Sequence, residues 1–135
     1  MGTPRSPGPI RIADYELFTR LGGGGMGDIY LGRQMSPAGY VRPIVLKIIR
    51  PHLAKDEQYR RMFLDEARIT AMISHPNVVH VLDFGDFEGT YFIAMEYLEG
   101  ESLAAALTGQ RTLGARLSAW LAVHIMAEVC AGLHA

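Results

Sequence analysis

Leu21-Gly22-Gly23-Gly24-Gly25-Met26-Gly27-Asp28-Ile29 is the stretch on which the fold of this chain turns. Residues 15–21 before it alternate and include Phe18 and Leu21, and Ile29-Tyr30-Leu31 opens a second apolar stretch after it. The order is strand, glycine turn, strand. Ser36-Pro37-Ala38-Gly39 makes the next turn. Residues 41–49, rich in β-branched side chains, make a third strand that Pro51 ends.

Farther along, Asp56 is placed to cap a helix, with Glu57 favourable in its first turn. Phe63, Glu66, Thr70 and Ile73 share one face of that helix, flanked by Met62 and Ile69. Arg60, Arg61 and Arg68 fall elsewhere, and Pro76 stops the helix near Ser74-His75. Strands are expected at residues 78–84 and 90–95, around the short loop Gly85-Asp86-Phe87-Glu88-Gly89. Glu99-Gly100 breaks the chain again. A short helix is expected at residues 102–107 and a longer one at 115–135. Residues 1–14 read as a disordered Pro/Gly-rich leader. Five strands with one inserted helix, then helices, argue an α+β fold with a largely antiparallel sheet.

The chain has 135 residues, 49% of them apolar and 20% charged, so a globular fold is expected. A net charge of −1, with acids and bases mixed, points away from a nucleic-acid footprint or a polybasic membrane patch. The single cysteine, Cys130, excludes an intramolecular disulfide framework and fits a reducing, cytoplasmic setting. The first ten residues lack the apolar segment of a signal peptide. Met1-Gly2-Thr3-Pro4-Arg5-Ser6 matches the bare myristoylation pattern, which a small flexible start also matches. Residues 117–135 are long enough to span a bilayer, but His124 and Glu128 interrupt them and favour a soluble amphipathic helix.

The chemistry follows from three parts. Glycines let backbone N–H groups approach phosphate with no Cβ between. Lys47, inside Ile44-Val45-Leu46-Lys47-Ile48-Ile49, supplies a point charge for phosphate oxygens. Glu66, on an apolar helix face, loses hydration unless it pairs, and Lys47 has the same problem in its strand. The two solve it together if the helix packs on the sheet; the plainer alternative is that Glu66 reaches solvent. Ile29 and Val45 are spaced to form an apolar ceiling with Met95 behind, although each singly reads as ordinary core. Glu96-Tyr97-Leu98 then leaves the sheet with unpaired backbone groups suited to the edge of a flat ring. A dinucleotide-binding reading of the glycines needs a helix after the turn, and none fits before Pro37 and Gly39. A flexible linker would not be bracketed by two alternating strands.

In these motifs the chain resembles the protein kinase family, specifically the bacterial kinases of eukaryotic serine/threonine type. The glycine loop matches as Gly22-x-Gly24-x-x-Gly27-x-Ile29, with Ile29 for the usual valine. The strand lysine matches as Val45-Leu46-Lys47, with Val45 for the usual alanine, and the helical glutamate as Phe63-Leu64-Asp65-Glu66-Ala67. His75-Pro76-Asn77-Val78-Val79 resembles the link into the fourth strand. Met95-Glu96-Tyr97-Leu98 resembles the gatekeeper and hinge, and Gly100-Glu101-Ser102-Leu103 the start of the next helix. The resemblance implies a kinase N-lobe and hinge over residues 15–98, with the start of a C-lobe over residues 99–135. It implies ATP, accompanied by magnesium, under the loop. Leu21 and residues 22–28 (Gly22, Gly23, Gly24, Gly25, Met26, Gly27, Asp28) would cover it and Lys47 would contact its phosphates while held by Glu66. Backbone atoms of Glu96 and Leu98 would meet the adenine edge, and Ser102 the ribose.

By the same resemblance Ala135 falls inside the helix that precedes the catalytic loop. Asp83-Phe84-Gly85 has the letters of the metal-binding motif but lies before the hinge, so it is rejected as a metal ligand. The expectation is an ATP-binding part of a serine/threonine kinase, inactive alone for want of a catalytic aspartate. The alternative is a non-catalytic kinase-like binding or regulatory module. Leu117, Leu121 and Ile125, with Trp120 nearby, are expected to leave an apolar patch suited to a protein partner or self-association.

Overall fold

The structure, a computed structural model, describes residues 9–112, 114 and 116–135. The first eight residues of the expected leader, including the myristoylation pattern, lie outside the described residues, as does Ala115 at the expected start of the last helix. The chain divides into two compact units, one reaching to Met72 and resuming at His80–Tyr97, the other made of Ile73–Val79 and Leu98–Ala135.

The first unit is an antiparallel sheet with a helix against it. Its strands are β1 (Ile10–Ile12), β2 (Tyr15–Gly23), β3 (Gly27–Met35), β4 (Val41–Ile49), β5 (Val81–Phe87) and β6 (Thr90–Glu96), in the order β1-β2-β3-β4-β6-β5. Alternation along β4 sorts its side chains. Ile44 and Leu46 point to one face, fully buried with Tyr15, Leu17, Phe92 and Ala94. Ile49 points to the other, among Phe63, Ala67, Val81 and Ile93. Phe63 and Ala67 come from α2 (Glu57–Ala71), and Phe63 is completely buried. A side chain of that size contributes roughly 1.5–3 kcal/mol by leaving water. The sheet curls until its two ends meet. Tyr15 on β2 stacks edge-to-face on Phe92, and its hydroxyl donates to Asp83 on β5 at 3.1 Å.

Several expectations are corrected. Residues 10–12, placed in the leader, form a sixth strand, with Ile10 opposite Leu17 and Ile12 opposite Tyr15. Burying Ile12 beside Leu17 holds it there, and three residues are too few to show an alternation. The fifth strand begins at Val81 rather than residue 78. Its hairpin closes through Glu88 and Gly89 alone, both at positive φ, with the Asp86 carboxylate accepting from Gly89 N–H at 2.8 Å. Pro51 ends β4 and also begins the one-turn helix α1 (Pro51–Ala54), a position where its missing N–H costs nothing. Asp56 does cap α2, accepting from Gln58 N–H at 2.8 Å. The buried stripe of α2 is rotated from the expected face, for Met62 and Ile69 stand exposed.

The second unit holds α3 (Leu103–Thr112) and α4 (Ala119–His134), the latter capped by Ser118. Asn77 binds α4 through its side-chain amide, 2.9 Å from Glu128 O and 2.5 Å from Glu128 Oε2. Glu128, which interrupted the apolar pattern, is thereby given a partner. Leu117, Leu121 and Ile125 are half-buried, not exposed as expected. The exposed apolar residues of α4 are Trp120, Val123, Met126, Val129 and Leu133. Among the described residues no helix is long and apolar enough to cross a membrane.

Candidate functional site

Residues 24–26 connect β2 to β3, with Gly22 opposite Ile29 and Gly23 opposite Asp28. Gly24 N–H closes the turn on Gly27 O at 3.0 Å. Met26 tucks its side chain against the cluster containing Ile49 and Phe63, and its carbonyl accepts from Arg50 N–H at 3.2 Å. Leu21, at an irregularity in the β2–β3 register, is half exposed.

The glycines are of three kinds. A Cβ on Gly27 would stand 2.6 Å from Ile48 O, so packing against β4 requires its absence. At Gly22, Gly24 and Gly25 a Cβ would meet nothing within 4 Å. None of these has positive φ, so neither the internal packing nor the backbone demands glycine there. At Gly23 the nearest obstacle is an ion pair: a Cβ would stand 2.5 Å from Asp28 Oδ1 and 2.9 Å from Arg20 Nη2, and 3.1 Å from the backbone oxygen of Gly27.

Lys47 sits in the middle of β4, opposite Ile29 on β3 and Ile93 on β6. Val45 lies opposite Leu31 and Met95, so Ile29, Val45, Lys47 and Met95 share one face, as their spacing implied. Lys47 Nζ lies 2.6 Å from Glu66 Oε1 and 5.8 Å from the centre of the Phe63 ring. The pair therefore forms, but not as a buried one. The lysine side chain keeps 19% of its exposure and the glutamate 48%. The rotated stripe of α2 buries Phe63 and Ala67 and leaves Glu66 at its edge. Part of the solvent alternative thus holds.

Asp28 turns its carboxylate to two arginines, Arg20 at 2.8 Å and Arg50 at 3.4 Å. The hydrogen bond from Arg20 is the main reason its carboxyl is held below the usual 3.8, with the charges of Arg20 and Arg50 adding to it. Neither arginine was marked by the sequence, because nothing local links residues 20, 28 and 50. Glu96 corrects the expectation of unpaired groups at the end of β6. Its N–H donates to His80 O at 3.0 Å, and its carboxylate accepts from His80 N–H at 2.8 Å. Leu98 and Ser102 belong to the second unit, where Leu98 is exposed. Ser102 Oγ accepts from Ala105 N–H at 3.1 Å as the cap of α3. Asp83 is held by the Tyr15 hydroxyl and by Phe84 N–H.

A family model for the protein kinase domain matches residues 15–135. The chain belongs to the protein kinase family. Among similar proteins, the tyrosine-protein kinase MasK of Myxococcus xanthus (strain DK1622) is 41% identical over 93 residues, 69% of this chain and 14% of that protein. The serine/threonine-protein kinase PknJ of Mycobacterium tuberculosis is 36% identical over 122 residues, 90% of this chain and 19% of that one. The solved kinase domain of Mycobacterium tuberculosis PknI matches with a TM-score of 0.73 and 29% identity, covering 95% of this chain and 50% of that one. The kinase chain therefore spans under a fifth of MasK or PknJ and half of the solved PknI domain. Its sheet and α2 are those of a kinase N-lobe.

Proposed function

We propose that this kinase chain binds ATP with magnesium through the β2–β3 turn and Lys47, as the nucleotide-holding part of a serine/threonine kinase. The observation that carries the reading is the Lys47–Glu66 ion pair at 2.6 Å, on the same sheet face as Ile29, Val45 and Met95. The empty space at Gly22, Gly24 and Gly25 fits it, since bare backbone there leaves phosphate oxygens room to approach the N–H groups. Lys47 neutralises phosphate charge, and Glu66 keeps the ammonium from wandering. Ile29 and Val45 exclude water from one side of the adenine, and Met95 limits its depth. The Glu96 N–H is occupied, so its carbonyl is the group left for the adenine edge. On sequence position alone, Leu98 N–H takes the neighbouring edge and Ser102, whose hydroxyl can still donate, the ribose. Bound ATP supplies the phosphoryl group, destined for a protein hydroxyl.

Transfer also needs a group that orients the attacking hydroxyl and ligands that fix the metal. By family resemblance these lie outside the 135 residues. A polypeptide of these residues alone is expected to transfer no labelled phosphate, and turnover abolished by Lys47→Ala would overturn this. Calorimetric titration with Mg-ATP tests the site itself. Saturable binding weakened at least tenfold (about 1.4 kcal/mol) by Lys47→Met supports it. Equal binding by both proteins, or none by either, overturns it.

A further inference from the structure

We propose that Arg20, Asp28 and Arg50 form an ionic buckle across the stem of the glycine turn, that Gly23 is a glycine so that the buckle can lie flat, and that Asp28 is a positioning residue, not a phosphate contact. The consequence for nucleotide rests on the function proposed above; the buckle itself does not.

Arg20 is opposite Tyr30 in the β2–β3 register, whereas Asp28 is opposite Gly23. Their 2.8 Å contact therefore runs diagonally over the face of Gly23. Gly23 occupies a variable position of the Gly22-x-Gly24-x-x-Gly27 pattern, and its φ is not positive. What a side chain there would strike first is the buckle, both of whose atoms lie within 3 Å of the Cβ position, with the backbone oxygen of Gly27 next at 3.1 Å. Arg50, immediately after β4, grips the turn twice. Its N–H holds Met26 O at 3.2 Å and its guanidinium reaches Asp28 at 3.4 Å. Tip and stem are thus tied to one residue just past the end of a neighbouring strand.

The charges fit a turn that faces triphosphate. A free carboxylate at residue 28 would repel phosphate. Matched with two guanidiniums it is neutralised, and the cluster keeps one net positive charge. Asp28 thereby immobilises two cations without opposing the anion they sit beside.

Two amides report on the buckle without nucleotide: Gly24 N–H, bonded to Gly27 O, and Arg50 N–H, bonded to Met26 O. Their hydrogen exchange is followed by NMR in the 135-residue chain. For partly exposed ion pairs, Asp28→Asn is expected to speed it roughly two- to five-fold, leaving β6 amides unchanged. Sodium chloride at 1 M should speed it in the native chain but not in Asp28→Asn, because ion pairing is screened and packing is not. Asp28→Glu should restore slow, salt-sensitive exchange. Unchanged exchange of both amides in Asp28→Asn, or acceleration shared equally by β6, overturns the buckle, whatever the chain does with ATP. Faster exchange in Asp28→Asn together with equal Mg-ATP affinity in the native chain and Lys47→Met keeps the buckle and removes the nucleotide site.

Discussion

At single residues the glycine turn separates two demands that its sequence merges. Gly27→Ala should lower stability by roughly 1–3 kcal/mol, because Ile48 O cannot withdraw from a β-ladder. Gly24→Ala meets no atom and should leave the melting temperature unchanged or slightly raised, while weakening Mg-ATP binding. Loss of stability in Gly24→Ala would contradict the open space around it. Titration adds two more handles. Glu16 is buried, bonded by Arg33 and Arg11, and the Arg33 bond is the chief cause of its carboxyl lying below the usual 4.5. Its contribution is complete above pH 4.5 and is lost as pH falls through the lower folded value. Glu16→Gln should be less stable at neutral pH and lose less than the native chain on acidification in denaturant titrations. Tyr15 runs the other way. Burial first, then the Asp83 charge, pushes its phenol well above 10.0, so its contribution holds below pH 10.0 and is lost as pH rises. Tyr15→Phe should flatten the alkaline limb of the stability profile.

At the level of elements, α2 shows what the sequence could and could not disclose. Its start was legible because Asp56 carries a local capping signal, and its pairing with β4 because Lys47 and Glu66 each needed a partner. Its rotation was not legible. The placement of Glu66 against Ala67 is settled by how α2 lies on β4 and β5, which no periodicity encodes. Strand order around the turn was likewise readable from alternation and the turn residues 36–39. The strand β1 was hidden because a three-residue strand carries no period. Its φ of 50 at Ala13 also places an unusual residue in the turn that follows. The arginines of the turn were missed because their partner is distant in sequence. Two substitutions grade the helix contacts by circular dichroism melts. Phe63→Ala, removing a wholly buried ring, should cost about 3–5 kcal/mol. Glu66→Gln, at a half-exposed carboxylate, should cost under about 1 kcal/mol. A comparable loss in both would mean that the ion pair is far better shielded than its exposure implies.

For the molecule as a whole, the exposed apolar residues of α4 decide behaviour in solution. Trp120 and Leu133 keep 75% and 82% of their exposure, with Val123 and Met126 between them. Faces of this kind associate or are covered. Sedimentation at rising concentration should show reversible self-association of the 135-residue chain, reduced by Trp120→Ser with Leu133→Ser. A monomer at all concentrations would show that these side chains do not suffice. The sequence placed the exposed patch on Leu117, Leu121 and Ile125 with Trp120 nearby, and of these four Trp120 alone stands exposed. Amphipathic spacing alone does not say which side of a helix its own unit covers, and here the Asn77–Glu128 contact decides it.

The hydroxyl of Tyr15 reaches a carboxylate 68 positions later in the chain. A ribosome must therefore deliver α2 and the first three residues of β5 before the Tyr15–Asp83 bond can form, and until then the phenol is left to water. Closure that late in the assembly route belongs on the unfolding side of the kinetic barrier, since distant loops are costly to join early. Tyr15→Phe should accordingly hasten unfolding in stopped-flow experiments and leave the refolding rate nearly untouched.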